Sequence, residues 1–277
     1  MNTKLVEDIA SAVLYEGYLL YPYRASALKN QQRWNFGVLY PREYAEKQTS
    51  ADAWKMQTEC LVVTDSSATL EVRVRFLHLT AQGAIERQLD LPLAELSDLM
   101  ARPVRQNFVE ADVQLEAKEV ASGVYGIRCS ILNTSACAAA TRDEALLHSM
   151  VSTHTILSVE GGEFVSLLDP PDHLRELASA CQNVGAWPVL VGEPGQRTTM
   201  LSSPIILYDY PQIAPESPGA LFDGTEIDEI LTLRIMTLTD EEKLEIANGD
   251  ERARQILERT ESMPVEQFMK MHGVMRR

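Results

Sequence analysis

Two histidines that lie close together in the sequence are the first residues to consider for chemistry. His148 and His154 are six positions apart, and Glu144 and Cys137 shortly precede them. On a helix, Glu144 and His148 would share a face, because four positions separate them. A metal ion would need that pair and one or two further ligands. Because six positions do not match one helical face, His154 could be a ligand only if a following strand brought it back beside His148. Structural roles for both histidines are the leading interpretation, and a metal or acid–base site at these four residues is the alternative.

Other common chemistries lack their motifs. The four cysteines show no C-x-x-C spacing, so we predict free thiols rather than a zinc site or a redox dithiol. The turn at 192–195 does not match a phosphate-binding loop, and no serine lies in a nucleophile-elbow motif. We therefore predict that the protein uses no cofactor and that it is more readily a binding protein than an enzyme.

The chain of 277 residues is strongly acidic. It carries 25 Lys+Arg against 40 Asp+Glu, a net charge of −15, whereas nucleic-acid-binding proteins are commonly basic. No apolar stretch approaches the roughly 18 residues of a membrane span, and Glu7 and Asp8 stand where a signal peptide would be basic. These features argue against nucleic acid and membrane as partners and predict a cytoplasmic protein.

The segment from Tyr15 to Tyr44 combines aromatic and basic side chains. It holds eight aromatic residues, and its four basic and two acidic residues give a local charge of 4 − 2 = +2. Tyrosine, tryptophan and arginine often anchor protein interfaces. Packing in a core or between subunits is one interpretation, and a protein-binding patch is the other. The predicted interface residues are Tyr18, Tyr21, Tyr23, Arg24, Lys29, Arg33, Trp34 and Phe36.

Negative charge concentrates near the C-terminus. Between Ile205 and Ser262, five basic and 14 acidic residues give a local charge of 5 − 14 = −9. Helices are predicted there, one of them starting with a capping box formed by Thr239 and Glu242. For the acidic cluster of Asp223, Glu226, Asp228 and Glu229, a solvated face at a helix start is the leading interpretation, and a docking face for a basic partner is the alternative.

Hydrophobic periodicity predicts an N-terminal helix followed by antiparallel strands. The helix is expected from about Leu5 to Leu20. Strand-like runs occur in two pairs, at 57–64 with 68–80 and at 112–120 with 125–132. All but the apolar run at 57–64 alternate between apolar and polar residues. Turn residues between the members of each pair predict two hairpins.

The second half is predicted to contain more helix. One helix is expected at 141–151, where Thr141 and Glu144 form a capping box, and another at 172–182. A further hairpin is expected around the glycines at 161 and 162. The predicted fold class is therefore α+β. An antiparallel β-rich region over 1–140 and a mixed region with acidic helices over 141–277 are expected to share one core.

Six stretches of the sequence resemble one family. They are Tyr15–Asn30, Arg33–Gly37, Ser152–Thr155, Trp187–Gly195, Leu201–Pro211 and Phe222–Glu229. They are similar to proteins of unassigned chemistry that are encoded beside actinobacterial-type, oxygen-tolerant, high-affinity NiFe-hydrogenases. The resemblance extends over most of the chain, and family members are expected to continue beyond Gly273 into a small basic segment.

The resemblance implies a role in making, assembling or escorting the hydrogenase. A carrier of nickel or iron would be expected to show C-x-x-C or a His-rich tract, and the sequence has neither. We therefore predict a non-catalytic accessory or assembly factor that binds a hydrogenase subunit or a maturation protein. The alternatives are an enzyme or metal-binding protein that uses His148, His154 and Glu144, and a structural subunit that forms homo-oligomers through residues 15–44.

Overall fold

The computed structural model describes residues 3–15, 36–48, 52–65, 67–80, 83–96, 102–106, 109–212 and scattered positions from 238 to 262. The chain divides into two compact units. One consists of residues 1–14 and 36–211, and the other of residues 15–35 and 212–277. The first unit holds nearly all of the described residues.

The described residues of the first unit form ten strands, all paired antiparallel. In chain order they are β1 (Lys55–Val63), β2 (Thr69–Thr80), β3 (Gly83–Glu95), β4 (Arg102–Gln106), β5 (Val109–Ala121), β6 (Val124–Asn133), β7 (Val151–Glu160), β8 (Glu163–Phe164), β9 (Trp187–Leu190) and β10 (Thr199–Ser203). The helices are α1 (Thr3–Tyr15), α2 (Arg42–Ala45), α3 (Arg142–Leu146) and α4 (Arg175–Ser179), the last preceded by a 3-10 turn at Asp172–Leu174. Within the described part of the chain, no helix has the length and apolar character to cross a membrane.

The strands form two five-stranded sheets that pack face to face. The first sheet has the order β4-β5-β6-β1-β8, and the second has the order β3-β2-β7-β10-β9. Along β5, Val109, Ala111, Val113 and Leu115 are buried and the residues between them are partly exposed, as expected for a strand with one face in a core. The apolar faces of both sheets share one core cluster, so the unit is a β-sandwich. Each sheet combines strands from before and after residue 140.

The predicted α+β class with a helical second half is wrong for the described residues. They are 45% strand and 21% helix, and β7, β9 and β10 lie in the half that was expected to be more helical. The helix predicted over 141–151 ends at Leu146, because Met150 exchanges two backbone hydrogen bonds with Leu39 and Val151 begins β7. The helix predicted over 172–182 is reduced to α4 and its 3-10 turn. The acidic helices predicted beyond Gln212 lie almost wholly outside the described residues.

Local signals at helix and strand ends were more reliable. The predicted capping box of α3 is confirmed: Thr141 Oγ1 accepts from the Glu144 N–H at 3.3 Å, and the Glu144 carboxylate accepts from the Thr141 N–H at 3.3 Å. The hairpin predicted between β5 and β6 is also confirmed, with Gly123 in its turn. Both features depend on residues that are only a few positions apart.

Two other predicted hairpins are wrong. The turn after β1 leads to β2 in the opposite sheet, and the turn after β7 leads to β8 in the opposite sheet. Each of these turns is a β-arch, which carries the chain from one sheet across the core to the other. In the first arch, Thr64 Oγ1 donates to the carbonyl of Gly161 in the second arch at 2.6 Å. A turn signal indicates that the chain reverses, whereas the sheet that the next strand joins depends on distant apolar faces.

Helix α1 covers part of the outer face of the second sheet. Its apolar stripe recurs at helical spacing and consists of Val6, Ile9, Ala10 and Val13. The partners in the sheet are Ile156, Val189, Val191 and Leu201. Beside this contact, Glu7 forms ion pairs with Arg73 and Arg75 of β2. The helix therefore buries outer-facing residues of β7 and β10 that would otherwise meet solvent.

Candidate functional site

Four of the six stretches singled out in the sequence have residues that meet at one corner of the second sheet. The N–H groups of Ser152 and Thr153 donate to the carbonyls of Phe36 and Gly37, both at 3.0 Å. Strand β10 pairs with β7 and with β9, so that Ser202 lies opposite both Thr155 and Pro188. We call this region, residues 36–37, 152–155, 187–190 and 201–204, the motif corner.

Gly37 makes the closest approach in the motif corner. Its φ is +54°, and a Cβ at this position would lie 2.6 Å from Pro204 Cβ and 3.0 Å from the Thr153 nitrogen. Both the backbone conformation and the available space therefore require glycine. A glycine is therefore required at the end of the Arg33–Gly37 stretch for a structural reason. It lets the backbone at residue 37 pack closely against Pro204, which follows β10.

The start of β7 is polar although it is buried. Ser152, Thr153, His154 and Thr155 are at most 2% exposed. Buried polar groups nearly always have a hydrogen-bond partner, yet within the described ranges Thr153 Oγ1, His154 Nε2 and Thr155 Oγ1 have none. Ser152 also adopts a φ of +52°, which is uncommon for a residue other than glycine. Unsatisfied polar atoms and an unusual backbone conformation together mark a candidate functional site.

Thr155 faces the interior of the sandwich. It pairs with Val74 of the core in β2 and with Ser202 in β10. Ser202 Oγ lies 2.5 Å from Thr58 Oγ1, which belongs to β1 of the first sheet. This hydroxyl pair is a polar contact between the two sheets. In an apolar setting such a hydrogen bond is strong, so it helps to set how the sheets face each other.

His154 faces the other side of the sheet, on which α1 lies. Its Nδ1 is 2.8 Å from the carbonyl oxygen of Ser152. Because a carbonyl only accepts, Nδ1 carries the proton and Nε2 is the unprotonated nitrogen. Burial, and to a smaller extent the charge of Arg75 opposite it in β2, lower the pKa of His154 to about 4. The imidazole is therefore a neutral base at pH 7, but its side chain is fully buried and closed to solvent.

The other residues of the predicted metal site have separate places. The Glu144 carboxylate caps α3 and accepts from the N–H groups of Ala140 and Thr141. His148 follows α3, and Cys137 lies in the loop before it. Within the described ranges, no group of three or more His, Cys, Asp or Glu residues could hold a metal ion. The metal or acid–base site stays a prediction without a ligand cluster to support it.

Two aromatic side chains of the motif corner reach solvent. Phe36 is 37% exposed and Trp187 is 43% exposed. Trp187 pairs with Ser203, and the next residue, Pro204, is the one that Gly37 approaches. Because Phe36 precedes Gly37, both aromatic residues border the turn at Ser203 and Pro204. Phe36 belongs to the predicted protein interface. The other residues of that predicted interface lie outside the described residues: Tyr18, Tyr21, Tyr23, Arg24, Lys29, Arg33 and Trp34.

Asp209 anchors the segment that leaves the motif corner, although nothing in the sequence singles this residue out. We call residues 204–210 the strap. The Asp209 carboxylate accepts from the Leu190 N–H at 2.8 Å and from Ser166 Oγ at 2.5 Å. The Tyr210 N–H donates to the Leu190 carbonyl at 2.7 Å. No spacing or motif signals this role, because both partners of the carboxylate are distant in sequence.

A shallow cleft of about 240 Å³ lies on the outer face of the first sheet, between β1, β5, β6 and α4. Arg128 at the cleft is ion-paired with Glu59 and Glu116. Burial, and then the charge of Glu59, raise the pKa of Cys181 in its wall to about 11. Because Arg128 is paired and the Cys181 thiol is protonated, neither of these side chains is an activated nucleophile.

Comparisons with known proteins do not assign this arrangement to a family. No protein-family model matches the chain, and a search of the curated proteins finds no match.

Proposed function

We propose that this protein is a non-catalytic accessory or assembly factor of a NiFe-hydrogenase, which acts in the cytoplasm by binding a hydrogenase subunit or a maturation protein. The observation that carries the proposal is the motif corner. Stretches that resemble the hydrogenase-associated family are far apart in the sequence, yet Gly37, Thr153, Ser202 and Trp187 lie in adjoining backbone segments. Their convergence favours one shared site over several unrelated structural roles.

Protein binding suits this corner better than catalysis. Its polar side chains, including the neutral base at His154, are buried, so a substrate has no access to them in this structure. The side chains that do reach solvent are Phe36 and Trp187. Aromatic residues supply most of the energy of many protein interfaces, because they bury a large area and keep little rotamer freedom.

The charge distribution of the sequence supports the same function. The aromatic and basic segment Tyr15–Tyr44 runs directly into the motif corner at Phe36. The region from Ile205 to Ser262 carries a net charge of 5 − 14 = −9. Opposite charges on separate segments of one sequence suit a protein that recognises its partner by electrostatic complementarity.

Affinity capture from the native host tests the proposal. The bait is the tagged full chain, the test variant is Phe36→Ala/Trp187→Ala, and the control is Leu93→Ala, an apolar residue of β3 that is 56% exposed at the opposite edge of the sheet. We expect a hydrogenase subunit or maturation protein with the wild type and the control, and much less with the test variant. Recovery of no hydrogenase-system protein by the wild type would count heavily against the proposal.

A metal-binding or catalytic function is the second candidate, and the unpartnered Nε2 of His154 is the observation that favours it. Metal analysis of the purified protein and of His154→Ala separates it from the first. Stoichiometric metal that disappears in the variant would favour the second candidate, whereas metal-free protein with a captured partner would favour the first.

A further inference from the structure

The shallow cleft on the outer face of the first sheet is built around a glycine. Gly126 of β6 lies opposite Lys118 of β5 on one side and opposite Leu61 of β1 on the other, and all three residues line the cleft. A Cβ at residue 126 would lie 3.3 Å from Val120 Cγ1. Because this row of the sheet has no side chain at its centre, the cleft has room above the backbone of Gly126.

One wall of the cleft is apolar. Leu61, Leu177 and Cys181 line it and belong to the cluster of apolar residues between the first sheet and α4. Val120 and Ala180 also line the cleft. A hydrocarbon chain that lies against this wall leaves water, which is favourable in proportion to the apolar area that is buried.

The opposite rim of the cleft is charged, and its acids are engaged within the fold. Arg128 lies between Glu59 and Glu116 in the next row of the sheet. Its Nε donates to the Glu59 carboxylate at 2.7 Å and its Nη1 to the Glu116 carboxylate at 3.2 Å. The second carboxylate oxygen of Glu59 accepts from the Gln182 N–H at 2.7 Å. The carboxylate of Glu59 is therefore already neutralised and hydrogen-bonded on both oxygens.

The cationic groups of the rim have donors to spare. Within the ranges that the structure describes, Arg128 Nη2 makes no hydrogen bond, and exposed Lys118 forms no ion pair. Both residues line the cleft beside Gly126. Guanidinium and ammonium groups are donors only, so the ligand that would pair with both is an anion.

We propose that this cleft binds a small aliphatic carboxylate, whose head group pairs with Lys118 and Arg128 and whose hydrocarbon chain lies over Gly126 against the apolar wall. An apolar lining with a few polar groups that fix the orientation is typical of sites for small molecules. A single negative charge suits the rim better than a phosphate, because Glu116 beside Arg128 repels a doubly charged group more strongly.

The size of the cleft limits the ligand to a short chain. Its volume of about 240 Å³ is below the roughly 300–1,000 Å³ of sites for drug-sized molecules. For a carboxylate of about six carbons we expect a dissociation constant on the order of 1 mM. The cleft lies on the first sheet and the motif corner on the second, so this binding is independent of the proposed hydrogenase partner.

An NMR titration of the isotope-labelled full chain tests the proposal with three probes. Hexanoate should give saturable shifts at the backbone amides of Gly126, Ala180 and Cys181. Acetate, which has the head group without the chain, should bind at least about fivefold more weakly, because it lacks four carbons that would lie on the wall. Hexylamine has a similar chain and the opposite charge, so it should bind more weakly than hexanoate.

Two variants and a matched control separate the parts of the site. Lys118→Gln should weaken hexanoate binding about threefold or more, because it removes one charge from the head group's partners. Gly126→Leu should abolish binding by filling the floor of the cleft. Lys55→Gln is the control, since Lys55 is an exposed lysine on the same face of β1, away from the cleft. Urea unfolding of each variant checks that the fold is intact.

Three results would overturn the proposal. They are hexanoate shifts that do not saturate at the three cleft amides, hexylamine binding as tight as that of hexanoate, and equal hexanoate affinity in the wild type and Lys118→Gln. The last result decides the matter even if Gly126→Leu fails to fold, because Lys118 is exposed and its replacement leaves the sheet unchanged.

Discussion

Acid is expected to destabilise the first unit through His154. This side chain is fully buried, its Nε2 has no acceptor among the described residues, and Arg75 lies opposite it in the neighbouring strand. A second proton on the ring would therefore place a positive charge in an apolar setting beside a second cation. Burial and, less strongly, Arg75 lower the pKa of His154 from 6.5 to about 4.

The size of the effect follows from the two pKa values. The unfolded chain takes up this proton near pH 6.5 and the folded chain near pH 4, so stability is complete above pH 6.5 and is lost as the pH falls toward 4. The difference, 6.5 − 4 = 2.5, corresponds to about 3 kcal/mol once the pH is below both values. At pH 5 the loss amounts to about 2 kcal/mol.

Urea unfolding at pH 7.5 and pH 5 measures this loss. His154→Asn keeps a side-chain N–H donor for the Ser152 carbonyl and cannot titrate. We expect the destabilisation between the two pH values to be about 2 kcal/mol smaller in this variant than in the wild type. His173→Asn is the matched control, because it makes the same replacement at an exposed histidine on the 3-10 turn. Burial also lowers the pKa of His78, so some acid sensitivity will persist in both variants.

Two results would refute this reasoning. One is an equal loss of stability in the wild type and in His154→Asn between pH 7.5 and pH 5. The other is an NMR titration in which the imidazole of folded His154 gains its proton near pH 6.5, since that would show that burial does not perturb the ring.

Three further predictions concern contacts that fix the sandwich. Gly37→Ala should lower the free energy of unfolding by about 2–4 kcal/mol. Gly195→Ala should cost less, because both glycines have a positive φ but only Gly37 lacks room for a Cβ. Equal losses for the two variants in urea unfolding would show that no clash occurs at Gly37. Asn133→Ala removes a fully buried amide that donates to two backbone carbonyls at 2.8 Å. It should lower the free energy of unfolding by about 2–4 kcal/mol. A loss below about 1 kcal/mol would contradict this prediction. Asp209→Ala should speed hydrogen exchange at the Leu190 amide, whose acceptor it removes; unchanged exchange would show that the strap has another anchor.

Elements that depend on near neighbours could be predicted from the sequence. The alternation along β2 and the hairpin of β5 and β6 follow from side-chain periodicity and a turn glycine. The capping box of Thr141 and Glu144 needs only residues three positions apart. Each of these features is stabilised mainly by interactions within one short segment, so the segment itself carries the information.

The arrangement of strands could not be predicted in the same way. Strand β2 pairs with β7, so that Thr69 lies opposite Glu160, and β1 pairs with β6 rather than with β2. These pairings bury apolar faces from distant parts of the chain, and a turn between two strands does not reveal whether they join one sheet or face each other across a core. The expected α+β class was wrong for the same reason, since the apolar runs of the second half complete the sheets.

The candidate site shows a similar division. The sequence pointed to His154 as a titratable residue and to Phe36 as an interface residue. It did not reveal the contact between Thr58 and Ser202, which are 144 positions apart, or the anchoring role of Asp209. Such contacts carry no local pattern, because each partner is an ordinary polar residue until the fold removes it from water.

The sequence by itself determined the net charge of −15, the lack of common catalytic motifs, the separation of aromatic-basic from acidic segments and the capped N-terminal end of α3. Only the tertiary structure decided which polar residues are buried, which resemblance stretches meet, and which apolar side chains stay in solvent. Composition and capping are properties of a residue and its neighbours along the chain. Burial is collective. His154 becomes a weak base because the fold buries it on the outer face of the second sheet, the face on which α1 packs. Ile206 and Tyr208 stay exposed because the strap is anchored beside the sheet and not within it.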